Sequence, residues 1–502
     1  MSDAVLQITF QPPQHVHHSV ESMSAGAATA KAPLRRKEPV MSQSSDSLAL
    51  TADDVRENTL LRLVFRRLIP LIVLMQFISQ TDRANLAILA EPIDKSLGLT
   101  ATAFGFAAGM FFWGYVVFEV PSNLALLKYG SRKWLARIVI SWGMVTGLTS
   151  LAQNEVQFAI LRFLLGACEA GLSPGILLFI SIWFSKRKQT KPLAYFQLAV
   201  PLAFTFGSIL TSGLLHVFTN ISPLSAWRWV FVAEGTVTVI IGVLILIALP
   251  SNPREAKWLS DDDAEFLVAR REAERQSLGD VHEHLSEWQR VGLALKNAKT
   301  WYLSFTYFMI LTGFWAITFF LPQIIAATFG TSTVNSGLLS AIPWSFVFIA
   351  ILLVERFARK TQHRNRVLFG LLAAAGVGML IAAFVGSPVI SLIGLTLALC
   401  GVQSAAPLFY RLQTTLFTGV MAAVLLAVVN SIGNFGGFVG PFIFGFSKDQ
   451  FGSNTVGITI MSGFLFIAAI LALASTKVLG VAVDENAPAP HTDDRPAAKS
   501  RT

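Results

Sequence analysis

A few charged residues set inside apolar stretches are where this sequence could do chemistry. Thr81-Asp82-Arg83-Ala84-Asn85 puts an acid, a base and an amide within the apolar run Leu68–Ile88. Roughly 20 apolar residues suffice to cross a bilayer. Ionisable groups inside such a run almost always face a bundle interior or a water-filled cavity, and they mark function. The competing reading is an ion pair that only locks two helices. The same half of the chain places Glu119, Arg162, Glu169 and Glu234 inside apolar stretches. A carboxylate in a dry site takes up a proton readily, and a nearby arginine opposes it. Asp82 and Glu169 are therefore candidates to load and release protons as their pairing changes. Arginine stays charged and offers a planar fork that fits a carboxylate, so Arg83 and Arg162 point to an anionic solute. For Arg162 and Glu169 the alternative is a helix-locking network.

Membrane helices must position these groups. The chain has 502 residues, 53% hydrophobic and only 14% charged, a balance foreign to soluble domains. Its formal charge of +9 would suit nucleic acid, but the Lys and Arg lie between apolar runs, where membrane topology explains them. Twelve apolar segments stand near 67–89, 104–126, 134–152, 157–182, 192–215, 228–249, 301–326, 335–355, 366–386, 389–409, 418–445 and 456–479. The links are short except the charged one from Pro250 to Thr300, in which Asp261 to Arg275 reads as an exposed amphipathic helix. Six spans, a long polar link and six more suggest two related halves. The expected fold is thus all-α, with twelve transmembrane helices in two pseudo-symmetric bundles. These are 58–249 and 301–480, joined by a cytoplasmic linker 250–300 and flanked by disordered tails 1–57 and 481–502.

Basic residues fix the expected orientation. Arg66, Arg67, Lys128, Arg132, Lys133, Lys186 to Lys188, Lys191 and the group Arg356 to Arg366 fall on one side, which the positive-inside rule makes cytoplasmic, with both termini. Asp82 then lies about 22 Å from that side, and Arg162 and Glu169 about 8 and 18 Å from the other. Seven residues separate Arg162 from Glu169, so both share one helical face. Glu119 lies near the inner end of its span and reads as a gate or loop contact. Glu234, near the outer face, reads as structural. Tyr115, Gln197, Asn430 and Asn434 could each contact a solute or equally satisfy a neighbouring helix. The second half offers amides and hydroxyls, Gln403, Asn430, Ser431 and Asn434, where the first offers charges. Five glycines between Gly433 and Gly445 allow close helix approach. Cys168 and Cys400 fall inside spans and imply no disulfide framework. His15, His17 and His18 sit in a solvated tail rather than a metal site, and Met23 and Met41 are alternatives to Met1 as the start. No signal peptide, nucleophile–base pair, metal cluster or phosphate loop is recognisable, so neither an enzyme nor a bound cofactor is expected. A receptor would need a folded signalling domain, for which only Pro250–Thr300 has the length.

At this point the chain resembles the major facilitator superfamily, and within it the anion:cation symporters, whose bacterial branch includes sugar-acid, tartrate and phthalate permeases. The resemblance covers about residues 60–480. It rests on Asp82-Arg83-Ala84-Asn85, Phe118-Glu119-Val120-Pro121-Ser122-Asn123, Arg162 through Gly171, Trp227-Arg228-Trp229 through Glu234-Gly235, Leu249-Pro250 through Trp258-Leu259, and Asn430-Ser431-Ile432-Gly433-Asn434 through Gly440-Pro441. It implies proton-coupled uptake of an organic anion across a bacterial inner membrane, by a monomer with no nucleic-acid partner. Asp82 and Glu169 match the family's protonatable acids, Arg83 and Arg162 its arginines, and Tyr115 a tyrosine that contacts substrate. In the loop after the second span Lys128, Gly130, Arg132 and Lys133 keep the gating pattern, but Leu127 stands where its acid is expected. After the eighth span Arg359-Lys360-Thr361-Gln362 also lacks the usual acid, which weakens the expected charge lock between halves. An efflux antiporter of the same superfamily is the alternative.

Overall fold

The structure, a computed structural model, describes residues 52–219, 221, 224–277, 287–358, 360–361, 363–416 and 419–479. The three tail histidines, Met23, Met41, residues 481–502, and Arg359 and Gln362 of the loop after the eighth span lie outside the described residues. The chain divides into units 1–53 and 54–502, and the second carries the fold.

Every regular element among the described residues is helical. The first half comprises α1 Ala52–Leu97, α2 Ala101–Tyr129, α3 Ser131–Thr149, α4 Glu155–Glu169, α5 Leu172–Trp183, α6 Thr190–Phe218 and α7 Ala226–Ala248. The polar link holds α8 Asp261–Ser277 and α9 Glu287–Lys296. The second half comprises α10 Ala298–Phe329, α11 Thr333–Ala358, α12 Arg364–Phe384, α13 Pro388–Leu416, α14 Gly419–Asn434, α15 Gly436–Phe451 and α16 Asn454–Leu479. Polar side chains at the starts satisfy the first free N–H groups, with Thr100, Asn154 and Asn297 accepting from Ala103, Gln157 and Lys299.

Among the described residues ten helical stretches are long and apolar enough to cross a membrane, counting Glu155–Trp183 and Val424–Phe451 as single stretches. α1 and α3 cover the two remaining expected segments as helices but fall outside that group. α1 carries Asp82 and Arg83 about two-thirds of the way along, and α3 is 19 residues long with Arg132 and Lys133 in its first turn.

The expected tail boundary shifts. Residues 52–57 are the first turns of α1, and α8 holds them there. Arg56 binds Asp263 at 2.6 and 3.1 Å and also meets Asp262; Arg270 meets Asp54 at 2.6 Å; Arg271 pairs with Glu57. Lys186 N donates to Glu274 at 2.9 Å, so the α5–α6 loop joins the same clamp. This is the basic end of the molecule.

The two halves meet along α2 and α15 and along α6 and α11. Close approach requires small residues. A Cβ on Gly105 or Gly109 of α2 would collide with Pro441 or Phe438 of α15. Phe204 of α6 stacks on Trp344 of α11 at 4.0 Å. At the end away from the basic residues, Asp449 accepts from Ala101 N at 3.1 Å and Thr102 N at 2.7 Å, capping α2 from the opposite half. Thr333 donates to Glu91 there, and Lys448 to Gln323 at 2.7 Å. α10 is buried along most of its length at the centre.

Candidate functional site

Paired glycines frame the polar interior. Gly114 of α2 and Gly166 of α4 sit so close that a Cβ on either would strike the other helix's backbone, at the carbonyls of Phe163 and Phe111. This crossing brings Phe111 and Tyr115 against Arg162 and Glu169. Gly235 of α7 nests against Gly143 and Gly147 of α3 in the same way, and carries Glu234 and Thr146 toward α1.

The fourth span is broken rather than continuous over 157–182. α4 ends at Glu169, Gly171 takes φ +86°, and α5 starts at Leu172. Glycine adopts that backbone without steric cost. The freed Ala170 carbonyl accepts from Ser122 Oγ at 2.6 Å, and Ser122 Oγ accepts from Trp134 Nε1 at 3.0 Å, so the break is satisfied by protein. The eleventh span, expected over 418–445, likewise breaks at Phe435 between α14 and α15.

Glu169 is buried at the first break. Its Oε1 accepts from Arg83 Nη2 at 2.7 Å and from Ser79 Oγ at 2.6 Å. The sequence reading joined Glu169 to Arg162; the structure joins it to Arg83, because Ser79 and Arg83 lie one turn apart on α1 and face α4 together. Arg162 is fully buried, and its three guanidinium nitrogens meet no hydrogen-bond acceptor among the described residues. Both arginines lie over the Phe111 ring, Arg83 at 4.8 Å and Arg162 at 5.5 Å, and Arg83 also lies 5.4 Å from the Trp315 ring of the second half.

Asp82 faces the same interior. Its Oδ1 accepts from Thr146 Oγ1 at 3.3 Å and, at a long 3.4 Å, from Asn85 Nδ2; its Oδ2 has no donor among the described residues. Asn85, wholly buried, also donates to Glu234, whose Oε1 accepts from Thr211 Oγ1 at 3.0 Å. Glu234 is therefore no isolated structural acid near the outer face. α7 turns it inward onto α1 and α6.

The remaining expected residues divide. Tyr115 is buried beside Phe111, with its hydroxyl in reach of Ser173. Glu119 is buried and accepts from Ser431 Oγ at 2.9 Å and from the Asn430 amide, which bridges α2 to α14. Asn434, one turn beyond Asn430, is half-buried. Gln197 is exposed and stands outside the charged cluster, although it continues the stripe of Pro201, Phe204, Ser208 and Thr211, all buried. Lys128 is exposed over the Tyr129 ring at 5.3 Å. Arg132 lies 3.9 Å from Glu255 in the turn after α7, so its acidic partner comes from the start of the polar link and not from the second half. In the second half Tyr307 and Tyr410 share a 3.0 Å hydrogen bond between hydroxyls, and Arg411 pairs with Glu355.

Sequence reasoning gave no role to Ser79, Phe111, Thr146, Thr211 and Trp315. Ser79 was findable, since it precedes Asp82 and Arg83 by one turn on the same face. The others come from distant helices and carry no local signal.

Buried charges at the centre of two packed helical halves, with spans broken beside them, define a secondary transporter. The sequence matches the family model of the Major Facilitator Superfamily over residues 72–441, and the chain belongs to that family. An Agrobacterium vitis protein named "Putative tartrate transporter" is 37% identical over 87% of this chain and 95% of its own. A "Quinolone resistance transporter" of Acinetobacter baumannii is 34% identical over 83% of this chain and 94% of its own. A bacterial homolog of the human lysosomal transporter Spinster, solved inward-facing and unoccupied, shares the fold with TM-score 0.64 at 14% identity, over 82% of this chain and 96% of that one. Membership makes the chain a multi-pass membrane transporter and not an enzyme.

Proposed function

We propose that the chain imports a small organic anion with protons across a bacterial inner membrane. It would do so as a monomer of twelve spans in two six-helix halves that rock about the central site. α4 with α5, and α14 with α15, each count as one broken span, and α1 and α3 complete the twelve. The basic end faces the cytoplasm, with both termini. The seal formed by Asp449, Thr333 and Lys448 then lies on the outer side.

One observation carries the reading. Glu169 occupies the arginine that a solute carboxylate needs, while the guanidinium of Arg162 is buried nearby with no acceptor among the described residues. A proton on Glu169 removes the charge that holds Arg83. Arg83 can then take a substrate carboxylate as a bidentate partner, with Arg162, also beside Phe111, as the second cation. Proton binding and anion binding thus favour one another, which is the coupling that symport requires. Asp82, opposite Arg162, is the second proton-coupling acid. Tyr115, Asn430, Asn434 and Gln197 are substrate-contact candidates. Glu119, Lys128 and Arg132 remain gate candidates, Glu119 on the strength of its bridge to Ser431. A tartrate-like sugar acid is the substrate class, in line with the name of the Agrobacterium vitis relative.

The Acinetobacter baumannii relative favours a second reading, proton-driven efflux. Vesicles with an imposed inward proton gradient separate the two. Gradient-stimulated uptake of labelled tartrate or another sugar acid supports import. Failure of every acid to enter, with gradient-driven exit of a preloaded compound, supports efflux.

A further inference from the structure

The cluster holds three carboxyls that face the interior, Asp82 and Glu169 buried and Glu234 half-buried, and two arginines. Arg83 is taken by Glu169, and the acids that Arg162 faces are Asp82 and Glu169. Glu234 is left with neutral donors. From α1 it meets the Asn85 amide and the like charge of Asp82, and from α6 the Thr211 hydroxyl, while glycines of α3 seat the adjacent Gly235. An ionised carboxyl enclosed in this way is costly, and a proton removes the cost.

The partners are built for both protonation states. Many threonines on these helices bond the carbonyl one turn back, as Thr149, Thr205, Thr236 and Thr306 do. Thr146 and Thr211 turn to carboxyls instead. A hydroxyl donates to a carboxylate and accepts from a carboxylic acid without moving its oxygen. The order Thr211–Glu234–Asn85–Asp82–Thr146 is therefore one amide donating to two carboxyls, with a reversible hydroxyl at each outer edge. Asn85 lies one turn beyond Asp82 toward the end sealed by Asp449. Glu234 thus stands on the outer side of Asp82.

We propose that Glu234 is a further proton-binding site of the transport cycle, linked to Asp82 through the shared amide of Asn85. The proposal rests on the proton-coupled reading above. It makes the acid of α7 a participant in coupling rather than a packing group. When Asp82 ionises against Arg162, Glu234 retains a proton. When Asp82 takes a proton, the like charge that Glu234 faces is gone, and Glu234 is free to release its own.

Two measurements on the full-length protein test this. The first needs no substrate: infrared difference spectra of the reconstituted protein over a pH titration. A carboxylic C=O band should vanish in Glu234→Gln, return at a shifted frequency in Glu234→Asp, and change its titration midpoint in Asp82→Asn. No band lost in Glu234→Gln, or a midpoint indifferent to Asp82→Asn, overturns the proposal. The second uses labelled tartrate in proteoliposomes. Glu234→Gln should lose about tenfold in gradient-driven accumulation while tartrate exchange at equal pH is kept, and Glu234→Asp should restore accumulation. Wild-type pH dependence in Glu234→Gln overturns the proposal. So does equal loss of accumulation and exchange in Glu234→Gln with no rescue by Glu234→Asp, since that pattern marks packing. If the wild-type protein shows no proton-driven tartrate flux, the functional reading fails, and the infrared result alone decides Glu234.

Discussion

Around Arg83 and Glu169 the first half buries opposite charges that satisfy one another incompletely. Across the interface, Tyr307 and Tyr410 face each other as neutral hydroxyls, and the ion pair Arg411–Glu355 is only partly buried. A charged pair in an apolar interior has two stable arrangements, paired with itself or paired with a ligand and a proton. A neutral pair changes little when a proton arrives. Under the proposed function the asymmetry separates the labours: the first half would read protons and negative charge, and the second would offer aromatic walls and neutral hydrogen bonds. Trp315, 5.4 Å from the Arg83 guanidinium, is where one meets the other.

Breaking the charged side should cost most. Glu169→Gln leaves Arg83 permanently unopposed, and gradient-driven accumulation should fall about 100-fold while solute exchange survives. Proteoliposome uptake with and without a proton gradient checks this; full gradient drive in the variant would remove Glu169 from coupling. Arg83→Lys replaces a planar fork with a point charge and should weaken anion affinity about tenfold, as measured by calorimetry with tartrate. Gly166→Ala attacks the frame instead of the charges. Its Cβ meets the Phe111 carbonyl, and overpacking of this kind costs about 1–3 kcal/mol, to be read as lowered thermal stability in detergent. On the neutral side, Tyr307→Phe removes one hydroxyl and should change selectivity among sugar acids only a few-fold, roughly 1 kcal/mol, with proton drive intact. Loss of proton drive in Tyr307→Phe would erase the division between the halves.

The smallest effect belongs to the α1–α8 clamp. The Arg56 hydrogen bond, aided by Ser260, holds the Asp263 carboxyl below the ordinary carboxylate range. A depressed carboxyl contributes its stabilisation above its unfolded value and loses it as pH falls through the folded one. Opening of α8, read as hydrogen exchange relative to the intrinsic rate at each pH, should therefore be flat from neutral pH down to the ordinary aspartate range and rise only below it. Asp263→Asn should remove that rise.

Much of the frame was legible because membrane helices announce themselves by length and apolarity, and α8 by its acidic start at Asp261. The breaks at Gly171 and Phe435 were not. A glycine inside an apolar run serves close packing or a break, and only the Ser122 hydroxyl waiting at the Ala170 carbonyl decides between them. The choice of Arg83 over Arg162 for Glu169 was equally hidden, since both arginines reach similar depth along their chains. The surroundings of Glu234 were hidden too, because distance along α7 measures depth but not direction. Its partners, Asn85 and Thr211, come from two other helices.

α1 runs unbroken for 46 residues, about 69 Å at 1.5 Å per residue, more than twice the thickness of a hydrocarbon core of about 30 Å. It is a lever. Asp82 and Arg83 lie near its fulcrum, and Arg56 and Glu57 lie at the end of the long arm, fastened to α8. A small tilt at the charged centre becomes a displacement of several ångströms at the clamp. A pair of spectroscopic labels there, one on α8 and one on the second half, would register the rocking of the bundle far from any group that touches the solute.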